Sequence, residues 1–156
     1  MHREFMRNFS IFIILLLCGC STVVSNENLA VNLIDKCFSV EKPIQVYASN
    51  NLHVAVTKQN TSRLHRFEQN YKRVKTLNAG DIIKISTVMD HSYGSAGRCW
   101  MVFAKNMHLT GIEFQLPSCW MDHNSIWFTP NSPAKLNESD KIELVTDYIK
   151  PSKVCI

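Results

Sequence analysis

The sequence predicts a small, mainly β domain with one short helix, cross-linked by two disulfides. Beyond position 30, apolar residues fall mostly in short alternating runs rich in β-branched side chains, the pattern of half-buried strands. Residues 61–74 instead carry apolar side chains at helical spacing. Of six cysteines in the chain, four lie in the predicted domain, and an even number fits pairing in an oxidising compartment.

Residues 1–19 are predicted to be a signal peptide. Arg3 and Arg7 precede the apolar run FSIFIILLL at 9–17, which is too short to cross a bilayer of about 30 Å. Translation from Met6 would give a more compact version of the same signal. The run ends in the sequence Leu-Cys-Gly-Cys at 17–20.

That ending resembles the lipobox of bacterial lipoproteins, in which an aliphatic residue and two small residues precede the cysteine that receives diacylglycerol. The resemblance implies cleavage before Cys20, a lipid on Cys20, and no role in the mature protein for Cys18. Ser21 follows the lipidated position, and a serine there implies export to the outer membrane, facing the periplasm. The alternatives are a short buried helix with incidental cysteines and a metal-binding Cys-x-Cys, which lacks a second Cys or His pair nearby.

The chain after cleavage would have 137 residues, with 15 Lys and Arg against 12 Asp and Glu. We expect a polar lipidated tether over 20–30 and one β-rich periplasmic domain over 31–156. The small positive charge does not predict nucleic-acid binding. No second apolar stretch is long enough to span a membrane, so the lipid is the predicted attachment. We expect a monomer.

Four cysteines allow three disulfide connectivities, and the sequence favours Cys99–Cys119 with Cys37–Cys155. Residues 98–116 have the pattern of a hairpin in which the numbers of two facing residues add up to about 217. The numbers of Cys99 and Cys119 add up to 218, so the two cysteines would face each other. The second pair would join the two ends of the domain. In the loop-entropy account each bridge contributes about 3–5 kcal/mol.

Alternating runs predict strands over 44–48, 52–56, 81–89, 98–105, 112–116, 125–129 and 141–149. The sequence Asn-Ala-Gly at 78–80 predicts the turn before the third of these strands. Leu64, Phe67, Tyr71 and Val74 follow one another at spacings of three, four and three, which predicts about three helical turns over 61–74.

The order of these elements suggests a barrel. In bacterial Src-homology-three-like barrels, a leucine, two residues and a glycine introduce a strand, and a tryptophan strand follows. Leu77, Gly80 and Trp100 resemble that pattern, within residues 44–114 at most. The chain departs from the family in the insertion at 58–73 and in its added C-terminal strands. A β-sandwich is the alternative architecture.

Nothing in the sequence predicts catalysis, a metal or a cofactor. Two acid–histidine dipeptides, Asp90-His91 and Asp122-His123, could in principle ligate a metal or orient a base. Adjacent residues of a strand point to opposite faces, however, so neither dipeptide easily forms a shared site. Motifs for a nucleophile, a phosphate loop or a zinc protease are absent. We interpret both histidines as solvated turn residues.

Two stretches predict a partner-binding surface. The first is basic and would face an acidic protein or anionic head groups, unless it is simply a solvated helix face. The second is the loop 91–97, which is either a binding loop or a plain hairpin connection. The predicted binding residues are Arg63, Arg66, Lys72, Arg73, His91 and Tyr93; the basic cluster also holds His65 and Lys75, with Glu68 opposing it.

These features predict a protein-binding inhibitor, most simply an immunity protein against a toxic effector, such as a lipase, that acts on the envelope. In its size, its lipid anchor and its disulfide-bonded β scaffold, the chain resembles small lipoproteins that protect against type VI secretion lipase effectors or that inhibit lysozyme. The alternative is a non-enzymatic structural or assembly lipoprotein that binds peptidoglycan or an envelope complex. An enzyme using the Asp-His dipeptides is a weaker third option.

Overall fold

A computed structural model describes residues 21–28, 30–58, 61–92, 98–108, 112–117, 142 and 147–155 of the 156-residue chain. In this part of the chain, nine strands form one sheet with a single short helix, so the predicted mainly β class is confirmed. The elements are β1 Ser21–Val23, β2 Cys37–Val40, β3 Ile44–Ser49, β4 Leu52–Thr57, α1 Thr61–Asn70, β5 Lys72–Leu77, β6 Ile82–Ser92, β7 Arg98–Asn106, β8 Glu113–Leu116 and β9 Ile149–Pro151.

The strands lie in the order β5-β3-β4-β8-β7-β6-β2-β9. Every pairing is antiparallel except the parallel pair β4 and β8. Strand β6 organises the sheet because it is 11 residues long and has partners on both edges. Along one edge lies β7, and the other edge is shared by β2 near the start of β6 and β1 near its end.

Two short connections force the sheet to curl. Strands β5 and β6 are five places apart in the sheet order, which is about 24 Å in a flat sheet. Only residues 78–81 join them, and a chain from Leu77 to Ile82 can span at most about 18 Å. Residues 41–43 likewise join β2 to β3, which are also five places apart in the sheet order. The two ends of the sheet therefore approach each other. Gly80 N donates to Val40 O at 2.9 Å, which extends the pairing of β2 with β6 into the turn.

The curled sheet is nevertheless open, because no strand pairing joins β5 to β9 among the residues that the structure describes. The predicted closed barrel is therefore not confirmed. The predicted turn before β6 is present: Gly80 has a φ of 91°, and Asn78 N donates to Asp81 Oδ2 at 2.9 Å.

Alternation along the strands sends apolar side chains to two clusters. The main core fills the inside of the curl and includes Trp100, which is 1% exposed. It draws on every strand from β2 to β9: Val40, Ile44, Ala55, Leu77, Ile85, Val102, Phe114 and Ile149 are among its members. The second, smaller cluster lies on the opposite side of β3 and β4, beneath α1.

The predicted helix over 61–74 is correct in its first part only. Helix α1 ends at Asn70, and Tyr71 N donates the last helical bond to Phe67 O at 2.9 Å. Val74, the last residue of the predicted stripe, lies in β5 and is 37% exposed. Strand pairing with β3 takes the place of a further helical turn, a tertiary contribution that local spacing does not report.

The segment predicted as a tether, residues 20–30, is folded from Ser21 onward. Strand β1 pairs with β6, and Val88 N donates to Ser25 Oγ at 2.9 Å. Val24 and Ala30 are buried in the main core. The domain therefore begins about ten residues earlier than the predicted boundary at position 31. The apolar residues of this polar-looking segment are spaced by turns, so they form no strand or helix pattern that the sequence would reveal.

Of the two predicted bridges, Cys37–Cys155 is confirmed: its Cα atoms are 5.5 Å apart, and the two cysteines are separated by 118 positions in the sequence. Cys99 is buried on β7, whereas Cys119 lies outside the described residues. The predicted strand 125–129 also lies outside them. Of the predicted strand 141–149, Ile142 is buried in the core and Ile149 begins β9. In the described part of the chain, no helix has the length and apolarity needed to cross a membrane.

Candidate functional site

Helix α1 is held on the sheet by aromatic packing. The Phe67 ring meets the Tyr47 ring edge to face, with centroids 5.6 Å apart, and lies 4.8 Å from the Tyr71 ring. Leu64 and Val54 complete this contact. Edge-to-face ring pairs contribute about 0.5–1.5 kcal/mol beyond the area that they bury. The packing fixes which side of α1 faces the sheet, and so which side faces outward.

The outward side of α1 and the neighbouring strand carry most of the predicted basic cluster. We define the basic face as Arg66 on α1 with Arg73 on β5, both of which are exposed. Lys72 and Lys75 alternate to the other side of β5 and are not part of it. Arg73 lies directly across from Tyr47 on β3, and residues directly opposite in a sheet point to the same side. Arg73 is therefore on the side that α1 covers, next to the helix.

The charge of the basic face is not neutralised by ion pairs. Neither of its two cations takes part in an ion pair with another described residue. The ion pairs between described residues are all elsewhere: Lys42–Asp147, Lys84–Asp35, Arg98–Asp90, Lys105–Glu113 and Lys150–Glu41. Unpaired cations grouped on one surface create a positive potential that attracts an acidic partner.

Arg63 has a different position from the rest of the predicted cluster. Its guanidinium lies over the Phe67 ring, 5.4 Å from the centroid, and the side chain is half-buried. Such a cation–π contact contributes about 0.5–1 kcal/mol at an exposed site. Arg63 therefore helps to seat the helix, while the basic face lies on the outer surface.

The ring of Tyr47 links the basic face to the packing beneath it. Tyr47 is 1% exposed, and its hydroxyl donates to Gln45 Oε1. Burial raises the pKa of Tyr47; the Glu68 carboxylate raises it further, and the charge of Arg73 opposes the increase. The phenol is therefore neutral at physiological pH, and it acts as a packing and hydrogen-bonding group below the charged surface.

The remaining predicted binding residues lie elsewhere. Strand β6 continues to Ser92, so His91 is a half-buried strand residue and its prediction as a turn histidine is wrong. Its Nδ1 is hydrogen-bonded to Ser21 Oγ, and Cys99 is its cross-strand neighbour on β7. Tyr93 lies outside the described residues. The structure therefore does not bring His91 to the basic face.

Asp90, the neighbour of His91, is engaged in a separate interaction. Its carboxylate forms an ion pair with both Nε and Nη2 of Arg98 on β7, and its side chain is 13% exposed. The second dipeptide, Asp122-His123, lies outside the described residues. Within the described ranges, no group of three His, Cys, Asp or Glu side chains is placed to hold a metal ion.

An open pocket of about 420 Å³ lies beside the Cys37–Cys155 bridge. Its described lining residues are Asn32, Leu33, Lys36, Cys37, Phe38, Ile142, Pro151 and Ser152. Sequence reasoning missed it because these residues come from three separate segments that only the fold brings together. The lining is mainly apolar, with Lys36 as its charged member, and it shows no convergent set of reactive groups.

Comparison of the chain with protein-family models, with curated proteins and with solved structures gave no match.

Proposed function

We propose that this protein is an outer-membrane-anchored periplasmic lipoprotein that inhibits a protein partner by binding it. The partner best suited to this role is a toxic effector that acts on the envelope, a lipase or similar enzyme, which would make the chain an immunity protein. The lipobox-like ending at Cys20 supports the anchor, and Ser21 supports export to the outer membrane.

The observation that carries the proposal is the basic face. Arg66 on α1 and Arg73 on β5 are exposed, lie on elements that contact each other, and are outside the ion pairs that neutralise other parts of the described surface. Cationic side chains that face an acidic surface accelerate the encounter and select the partner by charge. A basic surface on a disulfide-bonded scaffold suits the binding of a folded protein.

The test is capture of a partner by the soluble domain from solubilised envelope, in three versions run side by side. These are the wild type, the double variant Arg66→Glu/Arg73→Glu, and the control Lys36→Glu/Lys153→Glu. The control reverses two exposed charges near the other end of the sheet order, away from the basic face. We expect one acidic protein to be retained by the wild type and the control and lost from the charge-reversal variant.

Recovery of the same proteins by all three versions would contradict the proposal. Recovery of peptidoglycan or assembly factors, unaffected by reversal at Arg66 and Arg73, would support the structural role instead. If the captured acidic protein is an effector, adding the domain should reduce its hydrolase activity in proportion to the complex formed. An effector that stays fully active in the complex would rule out inhibition.

We further propose that Cys99 pairs with Cys119, and that the curled sheet is a variant of the Src-homology-three-like barrel. The register of β7 and β8 supports the bridge. It pairs Val102 with Leu116 and Lys105 with Glu113, and the same register continued by three positions would set Cys99 opposite Cys119. Non-reducing peptide mapping should recover Cys99 and Cys119 in one linked fragment. Recovery of either cysteine as a free thiol would exclude the pairing.

A further inference from the structure

Strand β1 leaves no free spacer after the proposed lipidation site. Ser21 is covalently next to Cys20 and is already paired with His91 at the far end of β6. Thr22 and Val23 continue the pairing with Asp90 and Met89. A lipid on Cys20 would therefore be fixed to the sheet itself, because the first residue after it is part of a hydrogen-bonded strand.

The sheet topology places this point far from the basic face. Between β5 and β6 there are four antiparallel pairings and one parallel pairing, so the two strands run in the same direction. They also follow each other through the short turn 78–81. The chain thus advances from Lys72 down β5, through the turn, and on down β6 to His91. Lys72 and His91 therefore mark opposite ends of the curled sheet, and the stretch from Ile82 to His91 alone covers on the order of 30 Å at about 3.3 Å per strand residue.

We propose that β1 fixes the orientation of the domain on the membrane, with the end of β6 at the lipid surface and the basic face directed away from it. This inference rests on the proposed function, since it takes Cys20 to be lipidated. It also selects between the two acidic surfaces that the basic cluster could meet. Anionic head groups lie at the anchored end, beyond the reach of Arg73, whereas an acidic protein approaching from the periplasm meets the basic face first.

The consequence is a partner of defined chemistry and approach. The partner carries an acidic surface and is bound on the periplasmic side, at a height above the bilayer set by the length of the domain. Because β1 leaves no flexible tether between the lipid and the domain, the bound partner is held at that height. An enzyme that must reach lipids would be kept off the membrane by this geometry.

The orientation is testable with the full lipidated chain in vesicles of phosphatidylethanolamine and phosphatidylglycerol. A photo-crosslinking amino acid replaces either Val23, which is 59% exposed on β1, or Arg73 on the basic face. Mass spectrometry first verifies the lipid on Cys20, and Cys20→Ser serves as the unanchored control. We expect lipid adducts at position 23 in the anchored protein and none above the control at position 73.

Lipid adducts at position 73, or at neither position, would overturn the inferred orientation, as would an unmodified Cys20. The outcome is separable from that of the proposed function, because the vesicles contain no partner protein. Lipid adducts at position 73 together with charge-dependent capture would reject the orientation alone. The expected adducts together with capture that ignores Arg66 and Arg73 would reject the binding function alone.

Discussion

Arg73 lies directly across from Tyr47, so an exposed cation of the basic face and a buried phenol share one side of the sheet. The same relationship couples surface charge to stability, because Tyr47 packs against Phe67 of α1. Changes beneath the helix should therefore alter stability in ways that separate packing from charge.

Alkaline pH should destabilise the domain through Tyr47. Its pKa is raised above 10.0 by burial and by Glu68, so the folded state favours the neutral phenol. The resulting stability is fully present below pH 10.0, and it is lost as the pH rises toward the folded pKa. We expect the urea midpoint of the wild type to fall more steeply above pH 10.0 than that of Tyr47→Phe. Equal slopes for the two proteins would show that ionisation of the phenol does not contribute to the loss of stability.

At neutral pH, Tyr47→Phe should lower the free energy of unfolding by about 1 kcal/mol, because the hydrogen bond to Gln45 is lost.

Removing the Phe67 ring should loosen α1 from the sheet. Phe67 is 8% exposed and contacts both Tyr47 and Tyr71. We expect Phe67→Ala to lower the free energy of unfolding by about 3–4 kcal/mol, the usual cost of such a cavity. Val74→Ala is the matched control, because Val74 is exposed on β5 and should change stability by less than about 0.5 kcal/mol. A small loss for Phe67→Ala, similar to the control, would mean that the helix is not seated by this ring.

The Cys37–Cys155 bridge should be a major source of stability. It closes a loop of 118 positions, for which the loop-entropy account gives roughly 4–5 kcal/mol. We expect Cys37→Ser to lower the free energy of unfolding by about that amount, and the double variant Cys37→Ser/Cys155→Ser to lose about the same. Chemical denaturation of the three proteins measures this directly. A double variant as stable as the wild type would contradict a stabilising role for the bridge.

Gly80 tests the turn that bends the chain from β5 into β6. Its φ of 91° is unfavourable for an L side chain, although a Cβ there would meet no atom within 4 Å. Gly80→Ala should therefore cost about 1–2 kcal/mol through backbone strain alone, and Gly80→Asn should cost less because Asn tolerates positive φ. Thermal or urea unfolding resolves the order. Equal stability of Gly80→Ala and the wild type would show that the turn relaxes without cost.

The sequence predicted features that are set locally or by covalent chemistry. The strands near residues 44–49, 52–57, 82–92 and 98–106 follow from alternation of β-branched and polar residues, and the Gly80 turn follows from its composition. The Cys37–Cys155 pairing followed from an even cysteine count and the positions of the two ends. In each case nearby residues or covalent chemistry sufficed.

Features that depend on the pairing of distant strands were missed. Strand β5 continues a helical stripe in sequence and becomes a strand only because β3 offers an edge. Strand β1 lies in a polar-looking segment and is ordered by β6, about 70 positions later. The division of the predicted binding residues, with Arg73 on one end of the sheet and His91 on the other, likewise follows from strand order. Local patterns contain no information about that order.

The dissociation constant of the captured partner, measured across a range of salt concentrations, tests the central claim most directly. The wild-type domain, Arg66→Glu/Arg73→Glu and Lys36→Glu/Lys153→Glu would be compared under identical conditions. We predict that wild-type and control affinities are alike and weaken as salt rises, because salt screens the attraction. Reversal at Arg66 and Arg73 should weaken binding by roughly tenfold or more at low salt, equivalent to about 1.4 kcal/mol or more. Equal dissociation constants for all three proteins, unaffected by salt, would contradict binding through the basic face.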